Sequence, residues 1–195
     1  MQIENGMRVR RLRSILAATI WGAGMSAAVL IGTARSAEAF SASDIYKNAS
    51  NSVVLIFGFG NSGAGSSGTG SVLTQDGLVL TNNHVIAGGD GHKLFSNIVV
   101  YFKPNPISGD NNRDLTTPYK VTVVARDVEL DLALLRVDNP PNSLRPIEVG
   151  NSEEVDIGES VAAIGHPGGG GLWTLTTGTV SSKRRDAKRE IFQTD

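Results

Sequence analysis

Cysteine is absent from the 195-residue chain, and both proline, with seven residues, and aromatic side chains, at 6%, are scarce. The lack of cysteine excludes disulfides, thiolate metal sites and cysteine nucleophiles. A large excess of one charge is also absent, because the formal net charge is −1 and charged residues make up only 19% of the chain. With a hydrophobic share of 40%, this composition excludes a disordered charged tail and a polytopic membrane protein and indicates a globular protein.

Glycine, in contrast, is abundant, with 23 residues. Many glycines and few prolines favour short strands joined by tight turns over long helices. Short β-branched or aromatic runs bounded by Gly, Asn, Asp and Pro predict strands at 53–59, 70–74, 78–81, 98–102, 120–126, 133–137, 160–164, 173–182 and 189–193. So many short strands predict an all-β fold with an antiparallel sandwich or closed barrel.

Residues 1–39 have the three parts of a secretory signal peptide. Four arginines between Arg8 and Arg13 precede an uncharged run from Ser14 to Ala34, and Ala37, Glu38 and Ala39 form a small-x-small cleavage pattern. We expect an exported protein, in a periplasmic or cell-envelope location, with cleavage near Ala39. The uncharged run could instead remain as a single membrane anchor.

The chain after residue 39 is mildly acidic, with 13 basic and 17 acidic residues. Its basic cluster, residues 183–189, includes Asp186, has no aromatic residue inside it and is interpreted as a solvated loop or hairpin tip. We therefore expect no nucleic-acid partner. Residues 40–52 form an N-terminal segment with one short amphipathic helix.

Two polar stretches, Gly58–Gly70 and Lys103–Pro118, are predicted surface loops. Gln75–Gly77 predicts a tight hairpin turn. The proline-rich stretch from Asp138 to Asn151 is predicted to be a crossover between two sets of strands, at about 53–138 and about 147–195.

The segment from Ser67 to Gly88, SGTGSVLTQDGLVLTNNHVIAG, places His84 at a strand end. A lone histidine there is more often packed or solvated than catalytic. Asp131, however, opens the nearly all-apolar strand DLALLRV, and a carboxylate between leucines should be largely desolvated and need a partner. The imidazole N–H of His84 is the expected donor. His92 and His166 add no metal-ligand spacing, so no metal site and no cofactor are expected.

These motifs resemble the trypsin-like serine proteases, and specifically the bacterial HtrA-type, DegP-like branch. The resemblance covers about Val53 to Asp195 and is carried by the segments SGTGSV, TNNHVI, DLALLRV, AIGHPGG, TTGTVSS and FQTD, in the family's order. It implies two antiparallel Greek-key barrels with an active site between them, the second barrel being incomplete in this chain. It also implies that His84 is the general base, that Asp131 holds its tautomer, and that unfolded or extended polypeptides are the substrates.

The family's third catalytic residue is the serine of a GNSGG motif, which typically follows the QTD segment by about ten residues. The printed sequence contains no such motif, so we expect no nucleophile serine in this chain and no activity of the chain alone. Ser66, Ser67, Ser71, Ser181 and Ser182 lack the tight Gly-bounded turn of a nucleophile and are interpreted as structural.

Three functional hypotheses remain open on the sequence alone. The first is an exported HtrA-type endopeptidase, for which the resemblance implies a homotrimer if a full-length chain exists. The second is a catalytically silent truncated homologue that at most binds extended peptides by strand addition. The third is a fragment of a longer protease that continues through the serine into a peptide-binding PDZ domain.

Overall fold

The computed structural model describes residues 40–61, 63–168, 171–185 and 189–195. The predicted signal peptide therefore lies outside the described residues. None of the helices in those four ranges combines the length and hydrophobicity that a membrane crossing needs. In chain order the α-helices and strands are α1 (Ala42–Ala49), β1 (Val53–Phe59), β2 (Gly65–Val72), β3 (Leu78–Thr81), α2 (Asn83–Ile86), β4 (Ala87–Gly88), β5 (Lys93–Leu94), β6 (Asn97–Phe102), α3 (Asn111–Asp114), β7 (Tyr119–Asp127), β8 (Leu132–Val137), β9 (Ser160–Gly165), β10 (Thr174–Arg185) and β11 (Glu190–Thr194). Two short 3₁₀ helices, Ser50–Ser52 and Ser152–Glu154, lie between them.

Six of these strands close into an antiparallel barrel in the order β1-β2-β3-β8-β7-β6. Its interior is filled by side chains that alternate along each strand, such as Val54 and Ile56 on β1 and Ala133, Leu135 and Val137 on β8. The closed barrel confirms the all-β prediction and leaves no strand edge inside this part of the molecule.

The remaining large sheet is open and has three antiparallel strands in the order β11-β10-β9. It meets the barrel through β1, whose outward residues Val53 and Leu55 form a second apolar cluster with Trp173. Strand β1 is apolar on both faces because one face lines the barrel and the other lies under this cluster. We call this contact the seam, defined by Val53, Leu55 and Trp173.

The glycine-rich stretch 58–70 was predicted to be a loop, and this prediction is wrong for most of it. Strand β1 runs to Phe59 and β2 begins at Gly65, and the two pair over seven residues. Val85 of α2 packs directly on Gly68 of this strand, and a Cβ at Gly68 would come within 2.4 Å of Val85 Cγ2. A residue without a side chain is thus required for packing as well as for turns.

The predicted hairpin turn before β3 is present. The amide of Gly77 donates to the carbonyl of Thr74 at 3.2 Å, and Gly77 has a φ of 88°. The small hairpin β4–β5 and the one-turn helix α3 were not predicted. Each is shorter than the periodic pattern from which a strand or helix can be inferred.

Candidate active site

His84 is carried by the one-turn helix α2, directly after strand β3. The two residues that follow it, Val85 and Ile86, are buried in the barrel core. His84 itself points away from that core, and 65% of its side chain is exposed. Two apolar anchors therefore fix the helical turn while the imidazole stays accessible.

Asp131 sits at the end of the turn between β7 and β8. The turn is closed by Asp127, whose Oδ1 accepts the amides of Glu129 and Leu130, both at 2.9 Å. Asp131 has a φ of 55°, in the left-handed region that non-glycine residues seldom occupy. Its carbonyl oxygen accepts the amide of Asn83 at 3.1 Å and Nδ2 of Asn82 at 2.9 Å. Surrounding contacts thus hold an unfavourable backbone conformation in place.

The structure brings His84 and Asp131 into direct contact through both carboxylate oxygens. His84 Nδ1 lies 2.7 Å from Asp131 Oδ2, and the backbone amide of His84 donates to Oδ1 at 2.8 Å. An ionised carboxylate only accepts hydrogen bonds, so this contact selects the imidazole tautomer with the proton on Nδ1. The lone pair of Nε2 then remains on the exposed side of the ring, and no described residue hydrogen-bonds to it. The arrangement can accept a proton at Nε2.

The sequence predicted a largely desolvated Asp131, and this is wrong, because 38% of its side chain is exposed. Leu130 and Leu132 flank it in sequence, but residues at a turn do not surround one another in space. Burial by itself would raise the pKa of Asp131, but the two hydrogen bonds from His84, together with the charge of its protonated form, outweigh it, so the pKa lies below its ordinary value. The carboxylate therefore stays ionised and can stabilise an imidazolium.

Asn83 and Arg126 were not singled out by the sequence analysis. Asn83 directly precedes His84 in the chain and is 2% exposed. Its Nδ2 donates to the carbonyl of Gly91 at 3.0 Å. Arg126 reaches the same carbonyl from β7 at 3.0 Å. The sequence did contain one signal for Asn83. It is the second asparagine of TNNHV, a polar residue between a strand end and an apolar pair, and a polar side chain in such a place needs a hydrogen-bond partner.

His166 lies at the seam, far along the chain from His84. Thr69 on β2 bonds it twice, accepting its backbone amide at 3.0 Å and contacting Nδ1 at 3.2 Å, and its ring lies edge-on to Trp173 with centroids 4.8 Å apart. Burial lowers the pKa of His166 to about 4. The ring is therefore neutral at ordinary pH and serves to join β9 to the barrel.

The other candidates of the sequence analysis lie elsewhere. His92 is in the loop between β4 and β5, where its amide donates to Asp90 Oδ1 at 3.0 Å. Within the described ranges no group of three His, Asp or Glu side chains could hold a metal ion. The five serines that were interpreted as structural lie on strands, namely Ser66, Ser67 and Ser71 on β2 and Ser181 and Ser182 on β10.

Comparison with known proteins identifies the family. The sequence matches the trypsin-like peptidase domain over residues 68–195. It is 36% identical over 137 residues to "Protease Do-like 1, chloroplastic" of Arabidopsis thaliana, covering 66% of this chain and 27% of that protein. It is 35% identical over 129 residues to a "Probable periplasmic serine endoprotease DegP-like" of Hahella chejuensis, covering 66% of this chain and 23% of that protein.

Solved structures agree with the sequence relatives. The "HtrA-type protease AlgW with tripeptide" superimposes with a TM-score of 0.59 at 26% identity, covering 76% of this chain and 42% of that one. The serine endoprotease from Yersinia pestis gives a TM-score of 0.56 at 25% identity, covering 74% of this chain and 45% of that one.

The closed barrel, the second sheet and these matches define a trypsin-like peptidase domain, and the chain belongs to that family. Within it, the relatives and solved structures place the chain in the HtrA, DegP-like branch, which confirms the resemblance found in the sequence. The chain spans about a quarter of the length of the curated relatives it matches.

Proposed function

We propose that this chain carries part of the protease domain of an HtrA-type serine endopeptidase, in which His84 is the general base and Asp131 orients it. The observation that carries the proposal is the 2.7 Å contact between His84 Nδ1 and Asp131 Oδ2, on an accessible imidazole. Membership of the family supplies the reaction class.

The proposed chemistry is acyl transfer from a peptide to a serine and then to water. As serine Oγ bonds to the scissile carbonyl carbon, its proton passes to His84 Nε2 and the carbonyl electron pair moves onto oxygen. The electron pair on oxygen then re-forms the carbonyl as the C–N bond breaks, and the imidazolium gives its proton to the leaving amide nitrogen. Asp131 stays ionised throughout and stabilises the imidazolium, which the lowered pKa of its carboxyl favours. Water repeats the sequence on the acyl-enzyme.

The nucleophile in this proposal is the serine of a GNSGG motif, which is not among the 195 residues. The expected substrates are unfolded or extended polypeptides, as the family resemblance implies, and an HtrA-type structure similar to this chain was solved with a tripeptide. Export to the periplasm is proposed from the signal-peptide pattern of residues 1–39 and from the DegP-like relatives, which are named periplasmic endoproteases. A homotrimer is proposed from the same resemblance, and light scattering of the natural gene product would test it.

Hydrolysis of casein by the natural gene product tests the function. His84→Ala and Asp131→Asn should each reduce turnover by several orders of magnitude, about 10⁴-fold for the aspartate, while circular dichroism shows an intact fold. Asp76→Asn is the matched control, because Asp76 is an exposed carboxylate that pairs with Arg136 and not with His84, and it should retain full turnover. Unchanged turnover in the His84 variant would remove it from the mechanism.

An active-site phosphonate applied to the 195-residue chain tests the assignment of the nucleophile. We expect no labelling, because the proposed serine is not part of this sequence. Labelling of the 195-residue chain would place the nucleophile among its own serines. If the natural gene product is also inert towards both casein and phosphonate, the silent peptide-binding hypothesis replaces the protease.

A further inference from the structure

Arg126 has an unusual set of partners for an arginine near the protein surface. Its Nη1 donates to the carbonyl of Gly91 at 3.0 Å and its Nη2 to the carbonyl of His92 at 2.7 Å. Among the described residues no carboxylate forms an ion pair with it. The guanidinium therefore bridges two successive carbonyls of the β4–β5 loop, and its planar fork suits this geometry.

Asn83 connects this bridge to α2. It is buried, its Nδ2 donates to the same Gly91 carbonyl at 3.0 Å, and its Oδ1 lies 3.5 Å from Arg126 Nη1. Gly91 has a φ of 82°, and a Cβ there would come within 2.8 Å of Asn83 Nδ2. The loop can reach the asparagine this closely only because Gly91 has no side chain.

The same asparagine is bonded to the residue that pairs with His84. The amide of Asn83 donates to the carbonyl of Asp131 at 3.1 Å, and the next amide in the chain, that of His84, donates to the Asp131 carboxylate. Asn83 thus has one neighbour in the His84–Asp131 pair and another in the loop held by Arg126. The burial of Val85 and Ile86 anchors α2 in the barrel. Because a one-turn helix has few internal hydrogen bonds, these outside contacts add to that anchoring at Asn83 and His84.

We propose that Arg126 is a positioning residue for His84. By holding Gly91 and His92, it keeps Asn83 in place and so maintains the alignment of His84 Nδ1 with Asp131 Oδ2. The inference rests on the proposed function for its catalytic meaning, while the alignment itself can be measured without catalysis.

Nitrogen-15 and proton NMR of the histidine rings in the 195-residue chain tests the alignment. In the parent chain we expect His84 to show the Nδ1–H tautomer, with a downfield proton that exchanges slowly with water. Arg126→Met keeps the aliphatic stem and loses both hydrogen bonds, so this proton should exchange with water about tenfold faster, and the ring should shift toward a mixture of tautomers. Arg126→Lys can reach one carbonyl only and should give an intermediate spectrum.

Arg136→Met is the matched control, since Arg136 lies on the adjacent strand β8 and pairs with Asp76 instead. Its His84 spectrum should match the parent. If Arg126 acts through Asn83, the double variant Arg126→Met with Asn83→Ala should show no faster exchange than Asn83→Ala alone. Additive effects, or an Arg126→Met spectrum identical to the parent, would overturn the proposal. If Arg126→Met does not fold, the His84 spectrum of Arg126→Lys is compared with that of the parent instead. A spectrum identical to the parent would again overturn the proposal.

Kinetics of the natural gene product separate this proposal from the proposed function. Arg126→Met should lower kcat with little change in KM, because the variant misaligns the base and leaves peptide contacts alone. If His84→Ala leaves turnover unchanged while Arg126→Met still alters the NMR spectrum, the protease mechanism fails and the positioning survives. If His84→Ala abolishes turnover and Arg126→Met changes neither kcat nor spectrum, the positioning fails.

Discussion

The barrel and the three-stranded sheet bury their apolar side chains in different ways. In the barrel, strands β1 to β3 and β6 to β8 enclose a shared interior, so residues such as Leu135 and Val100 have no exposed surface. Of the described residues of β9, β10 and β11, only Val180 is buried. A closed barrel supplies both walls of its own core, whereas an open sheet depends on what it packs against.

The seam is where the open sheet gains its support. Trp173, at 1% exposure, packs on Val53 and Leu55, and its Nε1–H donates to the carbonyl of Val53 at 2.8 Å. His166 adds its bonds to Thr69 nearby. The two regions therefore differ in how they are held. His84 and Asp131 are positioned by contacts within the barrel, whereas the sheet is positioned through a few seam residues.

The largest expected effect is at the seam. Trp173→Ala removes the biggest buried side chain there and leaves the carbonyl of Val53 without its donor, so the free energy of unfolding should fall by about 3–5 kcal/mol. Urea unfolding followed by circular dichroism measures it. Trp173→Phe retains most of the packing and should lose less. A loss under about 1 kcal/mol in Trp173→Ala would show that the seam does not hold the sheet.

A matched pair of leucines compares the two regions directly. Leu135 is fully buried inside the barrel, so Leu135→Ala should lower the free energy of unfolding by about 2–5 kcal/mol. Leu175 is half-buried on β10, so Leu175→Ala should lower the free energy of unfolding clearly less, because less of the leucine surface leaves water on folding. The same urea unfolding experiment checks both variants. Equal losses would contradict the contrast between a self-contained core and a supported sheet.

The pH dependence of the seam gives a smaller effect. Burial lowers the pKa of folded His166 from 6.5 to about 4, so the unfolded chain binds more protons between these values. The free energy of unfolding should therefore contain the full contribution of neutral His166 above pH 6.5 and should fall as the pH drops from 6.5 to 4. Below pH 4 this residue should cause no further change. After allowance for solvent screening we expect a loss of about 1–2 kcal/mol.

Unfolding of the parent and of His166→Gln across this pH range measures that window. The cavity beside His166 offers no compensating charge, since its lining, formed by Thr69, Ala163, Ile164, Gly165, Pro167, Thr174 and Thr176, is uncharged. The glutamine variant should lack the His166 contribution between pH 6.5 and 4. Identical slopes in parent and variant would contradict a neutral, buried histidine at the seam.

The smallest expected effect lies on the outside of the barrel. Asp76 pairs with Arg136 at the hairpin before β3, and its pKa is lowered by hydrogen bonds from Thr74 and then from Arg136. Both side chains are exposed to water, so Asp76→Asn should change stability less than any variant above. Thermal unfolding of Asp76→Asn beside the parent checks this. A loss comparable to that of Leu135→Ala would mean that the barrel depends on its surface charges.

Much of the fold could be predicted from period and turn residues. The apolar run 133–137 predicted β8, whose buried residues then alternate in the structure, and Gln75–Gly77 predicted the turn before β3. The prediction of a loop at 58–70 was wrong because abundant glycine was interpreted as a sign of flexibility. In the structure Gly68 instead permits close packing of Val85 on the strand. Local pattern cannot distinguish these two uses, since the packing partner is distant in the chain.

The sequence by itself determined the family, the antiparallel strands and the two residues most suited to a base and its anion, because these depend on local motifs and their order. Tertiary structure alone decided how His84 and Asp131 meet, how exposed Asp131 remains, and that Asn83 and Arg126 both donate to the carbonyl of Gly91. It also decided that His166 is neutral at the seam. Distance, burial and charge environment arise from residues far apart in the chain, and only packing brings them together.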